Sequence, residues 1–353
     1  MHTYLKEDIR EIVGGLGSII KEFADSTILL TGASGFLGKY FMAVFAEVKN
    51  QFPSSRLRVV AIDNYTTSNS DQISRKDLGD YVEWIYADAK IAAALPDKFD
   101  YIIHAAGIAS PQHYRARPLE TIYVAIDVTR DLLEKARVDN ARFLFFSSSE
   151  IYGDPIASKV PTREDYRGNV STRGPRACYD ESKRLGETLC WVYSENFNVH
   201  ASVVRPFNVY GPGMMPTDYR VLPNFAWSVA NDKEIFVYGD GTQTRTFCYI
   251  TDAIVGFLKV LVSSKDPDVY NVGNPSPEIS INDLVIKIGQ VLGIKPKLRH
   301  IEYPTSYPAD EPLRRCPDIS KIKEKLNYTP KVDIDEGLKR FFKWSDDYYK
   351  RLK

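Results

Sequence analysis

Tyr179 and Lys183 lie four residues apart in Tyr179-Asp180-Glu181-Ser182-Lys183, a spacing that puts both side chains on one face of a helix. A tyrosine, with a reference pKa of about 10, is a poor base at neutral pH unless a neighbouring cation favours its phenolate. The lysine ammonium is such a cation, so the pair could take a proton from an alcohol. Ser148 stands in Phe146-Ser147-Ser148-Ser149-Glu150-Ile151-Tyr152-Gly153, directly after an apolar run that reads as a strand. A hydroxyl at the carboxyl edge of a parallel sheet faces the ligand crevice, which would let Ser148 share the proton with Tyr179. Turn formation or helix capping describes Ser147 better.

A second constellation is built for binding. Thr31-Gly32-Ala33-Ser34-Gly35-Phe36-Leu37-Gly38 follows one apolar run and opens a helical one. Glycines there permit a tight turn, close backbone approach to a pyrophosphate and close packing of helix on strand, with the phosphates at the helix N-terminus. Asp63 ends the next apolar run, where its carboxylate could accept hydrogen bonds from an adenosine ribose and would repel the extra phosphate of NADP. Asp88, after the third run, could reach an adenine amine. Arg75 and Lys76 read as a solvated helix face.

These residues need a scaffold, and the hydrophobic periodicity supplies one. Strands are expected at Thr27 to Thr31, Leu57 to Asp63, Tyr81 to Ala87, Tyr101 to His104, Ala141 to Ser147 and Val199 to Arg205. Helices are expected at Phe36 to Val48, Pro118 to Arg137 and Ala177 to Asn196. This alternation predicts an α/β fold, a Rossmann-type doubly wound parallel sheet spanning residues 27–209. Beyond Gly211 the rhythm loosens, and residues 210–353 read mainly as a smaller C-terminal lobe, with a strand near 269–272 returning to the main sheet. Ahead of the sheet, Leu5, Ile9, Ile12, Leu16, Ile19, Ile20 and Phe23 mark a helical extension over residues 1–26, packed on the domain surface and weakened by Gly14, Gly15 and Gly17.

Composition excludes several classes. Lys plus Arg and Asp plus Glu each number 46, so no net field attracts nucleic acid or an anionic membrane. Cys178, Cys190, Cys248 and Cys316 have no metal-ligand spacing and, with 5 scattered histidines, predict reduced thiols and no metal site. Charged residues interrupt the N-terminus and no run of about 20 apolar residues occurs, so the expectation is a cytoplasmic protein.

Taken together, Gly32-x-x-Gly35-x-x-Gly38, His104-Ala105-Ala106-Gly107, Ser148 with Tyr179 and Lys183, and Arg205-Pro206-Phe207-Asn208-Val209-Tyr210-Gly211-Pro212 resemble the extended short-chain dehydrogenase/reductases that act on nucleotide sugars. The resemblance spans residues 27 to 345. It implies bound NAD, a nucleotide-sugar substrate, a smaller C-terminal substrate-binding lobe over residues 210–353 and a homodimer, with cofactor contacts at Gly32, Ser34, Gly35, Phe36, Leu37, Gly38, Asp63, Asn64, Asp88, Ala105, Ala106 and Lys183. Within the family, Ala109-Ser110-Pro111-Gln112-His113-Tyr114, Gly174-Pro175-Arg176-Ala177-Cys178-Tyr179-Asp180-Glu181 and Gly239-Asp240-Gly241-Thr242-Gln243-Thr244-Arg245 are similar to UDP-glucuronate decarboxylases. That likeness implies substrate contacts from Ser110, Tyr114, Asn208, Arg245 and Arg314, with Arg245 near the substrate's carboxylate and Arg314 paired with Arg315, and a place for Glu150 in the catalytic set.

The implied chemistry begins with Tyr179 taking the sugar's C4 hydroxyl proton as hydride leaves C4 for NAD. A C5 carboxylate then becomes a β-keto acid and departs as carbon dioxide, with Ser148 and Arg245 stabilising the enolate. A 4-epimerase needs only Tyr179, Ser148 and room for the ketone to turn. A 4,6-dehydratase places an Asp-Glu pair where this chain has Ser149-Glu150, which disfavours dehydration. An NAD-binding scaffold without turnover would be expected to lack Tyr179 or Lys183.

Overall fold

The computed structural model describes residues 3–68, 79–303 and 312–352. Arg75 and Lys76 lie outside the described residues. In chain order the strands are β1 (Thr27–Thr31), β2 (Arg58–Asp63), β3 (Val82–Tyr86), β4 (Tyr101–His104), β5 (Arg142–Phe146), β6 (Ala201–Pro206), β7 (Val209–Tyr210), β8 (Ile235–Tyr238), β9 (Thr244–Arg245), β10 (Cys248–Tyr249), β11 (Val269–Val272), β12 (Ile279–Ser280), β13 (Leu298–Ile301) and β14 (Arg314–Arg315). The helices are α1 (Thr3–Leu16), α2 (Phe36–Gln51), α3 (Pro111–Ala116), α4 (Pro118–Tyr123), α5 (Thr129–Asp139), α6 (Ala177–Phe197), α7 (Val221–Ala230), α8 (Ile250–Ser263), α9 (Ile281–Leu292), α10 (Ser320–Leu326) and α11 (Ile334–Tyr349).

Seven strands among the described residues form one sheet in the order β11-β6-β5-β4-β1-β2-β3, every pair parallel. Such a sheet is covered on both faces, which explains its near-continuous apolar strands. Successive residues alternate between the two layers: Ile28 and Leu30 of β1 join one core, Leu29 the other. The chain winds from β1 out to β3, then crosses back to β4 on the other flank of β1. That reversal opens a crevice at the carboxyl ends of β1 and β4, where ligands bind in doubly wound sheets.

Three expectations are modified. The helix foreseen over Pro118 to Arg137 is divided by a π-helical stretch at Val124–Val128. Buried His104 reaches across from β4 to bond the Val124 carbonyl at 3.2 Å, engaging a carbonyl of that widened turn. The N-terminal helix ends at Leu16, and a 3-10 segment (Gly17–Phe23) follows from Gly17, whose φ of +57° lies in the left-handed region. Nor does that extension merely rest on the surface. Ile9, Ile12, Leu16, Ile20 and Phe23 belong to the main core, and α1 lies against α8 and α2. Even the polar side of α1 is engaged, because buried Asp8 accepts hydrogen bonds from Tyr40 (2.7 Å) and Tyr249 (3.1 Å).

The C-terminal segment divides its work. β11 joins the main sheet beside β6, and α8 packs against β5 and β6. The small sheet β12-β9-β14 and the parallel pair β8–β13 instead supply the side of the cleft facing the main sheet's carboxyl edge.

Candidate active site

A cleft of about 1260 Å³ runs along that edge, larger than the 300–1,000 Å³ typical for one small ligand. Its floor is the glycine loop. Gly32 has φ +73°, and a Cβ there would stand 2.6 Å from the Ala106 nitrogen. At Gly38 a Cβ would meet the Gly32 carbonyl at 2.2 Å, so both positions demand glycine for packing. Asp63 holds the loop from behind: its carboxylate accepts the Ser34 amide at 2.9 Å and the Tyr65 amide at 2.7 Å.

The reactive residues meet further along. α6 carries Tyr179 and Lys183, and the end of β5 delivers Ser148; all three are buried and line the cleft. Burial pushes the Tyr179 phenol up to about 12, against the pull of its hydrogen bond with Ser148 and of the Arg220 guanidinium. Lys183 donates to the Phe146 carbonyl at 2.7 Å and stands 5.8 Å from the centre of the Tyr179 ring. Burial lowers its pKa to about 8. The Tyr114 ring stacks on Tyr179 at 5.1 Å and 12°, which fixes the plane of the phenol. Ser148 also accepts the Glu150 amide at 3.2 Å, so Ser148 is the capping residue. The expectation for Ser147 fails, because its hydroxyl turns to Glu187 on α6.

Beside Ser148 lies a knot of charge. Glu150 takes Arg315 through both oxygens, at 2.6 and 2.7 Å, and also pairs with Arg176. Burial opposes its ionisation, but Arg176, Arg315 and Arg245 outweigh that and hold the carboxyl below the usual range. Arg176 leans as well toward Asp180, at 3.5 Å. Burial and the Glu150 charge push Asp180 up to about 7. A carboxylate held this tightly by two guanidiniums is an orienting group and a poor free acid.

The structure brings to the cleft Gly32, Ser34, Gly35, Phe36, Leu37, Gly38, Ala105, Ala106, Ser110, Tyr114, Ser148, Glu150, Tyr179, Lys183, Asn208 and Arg245. Asp63 lies just behind it. Asn64 and Asp88 sit together at the ends of β2 and β3, 3.5 Å apart, and Asp88 caps the following turn by accepting the Lys90 amide. Arg314 does not face the cleft: its guanidinium is paired with Glu278 at 2.7 and 2.8 Å, while its neighbour Arg315 lines the cleft instead. Sequence reasoning also missed Arg176 and Arg220. Arg176 was in view only as part of a motif, and nothing local to Asp218-Tyr219-Arg220 signals a site.

A model of the NAD dependent epimerase/dehydratase family matches residues 28–273, about seventy per cent of the chain. The chain belongs to this family. It is therefore an NAD-dependent enzyme. Among its relatives, UDP-glucuronic acid decarboxylase 1 of Arabidopsis thaliana is 37% identical over 313 residues, covering 89% of this chain and 68% of that protein. UDP-glucuronic acid decarboxylase 5 of the same plant is 34% identical, covering 88% and 86%. The crystal structure of UDP-glucuronic acid 4-epimerase from Bacillus cereus, in complex with UDP-glucuronic acid and NAD, superimposes with a TM-score of 0.76 at 28% identity, covering 92% of this chain and all of that one. The residues present fit the family's cofactor, since the cradle of Gly32 and Gly38 is one that any Cβ would obstruct and it opens at the N-terminus of α2, where a pyrophosphate is favoured.

Proposed function

We propose that this enzyme decarboxylates UDP-glucuronate to UDP-xylose, with NAD along the glycine loop and the nucleotide sugar against the C-terminal lobe. The observation that carries this is the charge at the reacting end of the cleft. Arg176, Arg220, Arg245 and Arg315 line it together with Ser148 and Tyr179, a surplus of cations suited to an anionic sugar. Glu150, the carboxylate beside Ser148, is engaged by Arg176 and Arg315 and cannot readily protonate a departing C6 hydroxyl as dehydration requires.

Bound NAD would supply the hydride acceptor and donor for C4 and a positive charge that favours the Tyr179 phenolate. The residues of the chain do the rest. Tyr179 takes the C4 hydroxyl proton while Ser148 donates to the same oxygen. Once C4 is a ketone, the C5–C6 bond breaks, carbon dioxide leaves, and the electron pair passes to the C4 oxygen; a proton from solvent then adds to C5 in place of the carboxylate and restores the C4 ketone, which is reduced as Tyr179 gives its proton back to the C4 oxygen. Ser148 and the protonated Tyr179 donate to that developing oxyanion. Lys183 and Tyr114 hold the tyrosine in place. Asp63 selects NAD over NADP through its charge, by way of the loop it orders.

Carbon dioxide released from carboxyl-labelled UDP-glucuronate is the direct assay. The Bacillus cereus structure favours a second reading, 4-epimerisation, because the same fold there binds UDP-glucuronic acid. UDP-galacturonate without carbon dioxide would establish that reading, and a 4-keto-6-deoxy sugar formed from dTDP-glucose would overturn both.

The same proposal includes a homodimer. Leu119 and Tyr123 on α4, and Leu185 and Trp191 on α6, are exposed on helices that pack together, an apolar face that a second copy would bury. Sedimentation velocity on Trp191→Glu tests it; the expected result is a monomer. A cytoplasmic setting is supported by four cysteines without disulfides.

A further inference from the structure

The decarboxylase reading leaves open which cation meets the sugar's own carboxylate. Tyr179 must face C4, so the carboxylate on C5 falls within a few ångströms of its hydroxyl. Four arginines line this end of the cleft, and their existing engagements separate them. Arg315 and Arg176 grip Glu150. The Arg245 Nη1 is bound to the Thr244 carbonyl at 2.8 Å and reaches the Leu313 carbonyl at 3.5 Å, which anchors it to the β9–β14 sheet.

Arg220 differs in kind. It precedes α7 in the C-terminal segment, and about a third of its side chain remains exposed. Its partner Asp218 is two residues away on the same loop and holds the guanidinium by a fork. Tyr219 between them has φ +61°, a left-handed conformation that a bulky side chain rarely adopts and that turns both flanking residues into the cleft. The loop is fastened to the catalytic side as well: Ser110 donates to the Asp218 carbonyl at 2.5 Å, and His113 bonds the Thr217 carbonyl at 3.1 Å. These anchors belong to α3 and its N-cap, and the same helix carries Tyr114, which stacks on Tyr179. Arg220 is close enough to Tyr179 and Glu150 to interact electrostatically with both.

We propose that Arg220 is the specificity-determining residue for the uronate, its guanidinium receiving the C6 carboxylate of the sugar while Asp218 keeps the fork aimed at C5. The planar guanidinium matches a carboxylate by two parallel hydrogen bonds, a match that a neutral hydroxymethyl group lacks. Because Asp218 and Arg220 share a loop tied to α3, seating the carboxylate also steadies Tyr114 against Tyr179.

This inference rests on the decarboxylase reading, and calorimetry separates the two. UDP-glucuronate, UDP-glucose and UDP are titrated into the NAD-loaded wild type, R220Q and R220K. The wild type is expected to prefer UDP-glucuronate to UDP-glucose. In R220Q the affinity for UDP-glucuronate should fall on the order of 10- to 100-fold, the loss expected for a charge-assisted hydrogen bond, while UDP and UDP-glucose change less than about threefold. R220K, which keeps the charge but not the fork, should recover part of the loss. Should R220Q fail to fold by its melting curve, D218N replaces it, with the same direction and a smaller effect. Unchanged UDP-glucuronate binding in R220Q, or an equal loss for UDP, overturns the inference and leaves the decarboxylase reading standing. A wild type that neither prefers UDP-glucuronate nor releases carbon dioxide from it overturns the reading itself.

Discussion

Replacing Glu150 by glutamine removes the negative charge at the centre of the arginine knot while keeping the side chain's shape. Arg315 then loses both of its ionic contacts and Arg176 loses the nearer of its two, retaining Asp180 at 3.5 Å. Their side chains are only 8% and 7% exposed, so water cannot replace the lost partner. Breaking a buried pair from one side costs about 3–5 kcal/mol, and the 19% exposure of Glu150 with the remaining amide carbonyl puts this site near the lower end, about 3 kcal/mol. With an unfolding entropy of about 2.1 cal/mol/K per residue over 353 residues, roughly 0.7 kcal/mol/K in all, the melting temperature should fall by about 4 °C. Differential scanning calorimetry without ligand measures it. The decisive arm is the double variant E150Q/R315M, in which the stranded guanidinium is also gone. It should melt above E150Q alone, because the penalty comes from an unpaired buried charge. A melting temperature within a degree of wild type for E150Q, or a double variant whose losses simply add, would refute the account of Glu150 as the pivot of that knot.

Three further outcomes are expected. Tyr179→Phe should bind NADH with unchanged affinity by fluorescence yet lose about 100- to 10,000-fold in turnover, since a positioned proton acceptor is removed from an otherwise intact cleft; wild-type turnover would remove Tyr179 from the mechanism. Gly38→Ala should abolish NADH binding or prevent folding, because its Cβ would lie 2.2 Å from the Gly32 carbonyl, and near-normal titration would show that the loop does not hold the cofactor as described. Asp8 gives a pH signature: burial raises its pKa to about 6, above its unfolded value, so the folded state holds the proton more tightly. Stability from this group is therefore greatest in acid and is lost as pH rises through about 6. Asp8→Asn should flatten the melting temperature over that window, and an unaltered pH profile would contradict the buried charge.

Much of the chemistry was legible because it is written in short-range terms. A glycine is required wherever backbone meets backbone, so Gly32, Gly35 and Gly38 announced the dinucleotide loop. Helical spacing of four put Tyr179 and Lys183 on one face whatever surrounds them. The alternation of apolar runs implied a parallel sheet, and a parallel sheet implies a crevice at its carboxyl edge, which is where Ser148 stands.

What remained hidden depends on register and on distant partners. Arg314 and Arg315 are adjacent in sequence, but successive side chains in a strand point to opposite faces, so only the pairing of β14 with β9 decides that Arg315 enters the cleft while Arg314 meets Glu278. Glu150 reads as a possible acid until Arg176 and Arg315, 26 and 165 residues away, close on it. The N-terminal helix shows an amphipathic stripe, yet that stripe cannot say whether α2 and α8 will enclose it. Local residue types determined which reaction could be attempted, because backbone sterics and side-chain chemistry act within a few residues. The tertiary structure decided which charges are spent on one another and which are left for a substrate, because that balance is set by side chains that only folding brings within a few ångströms.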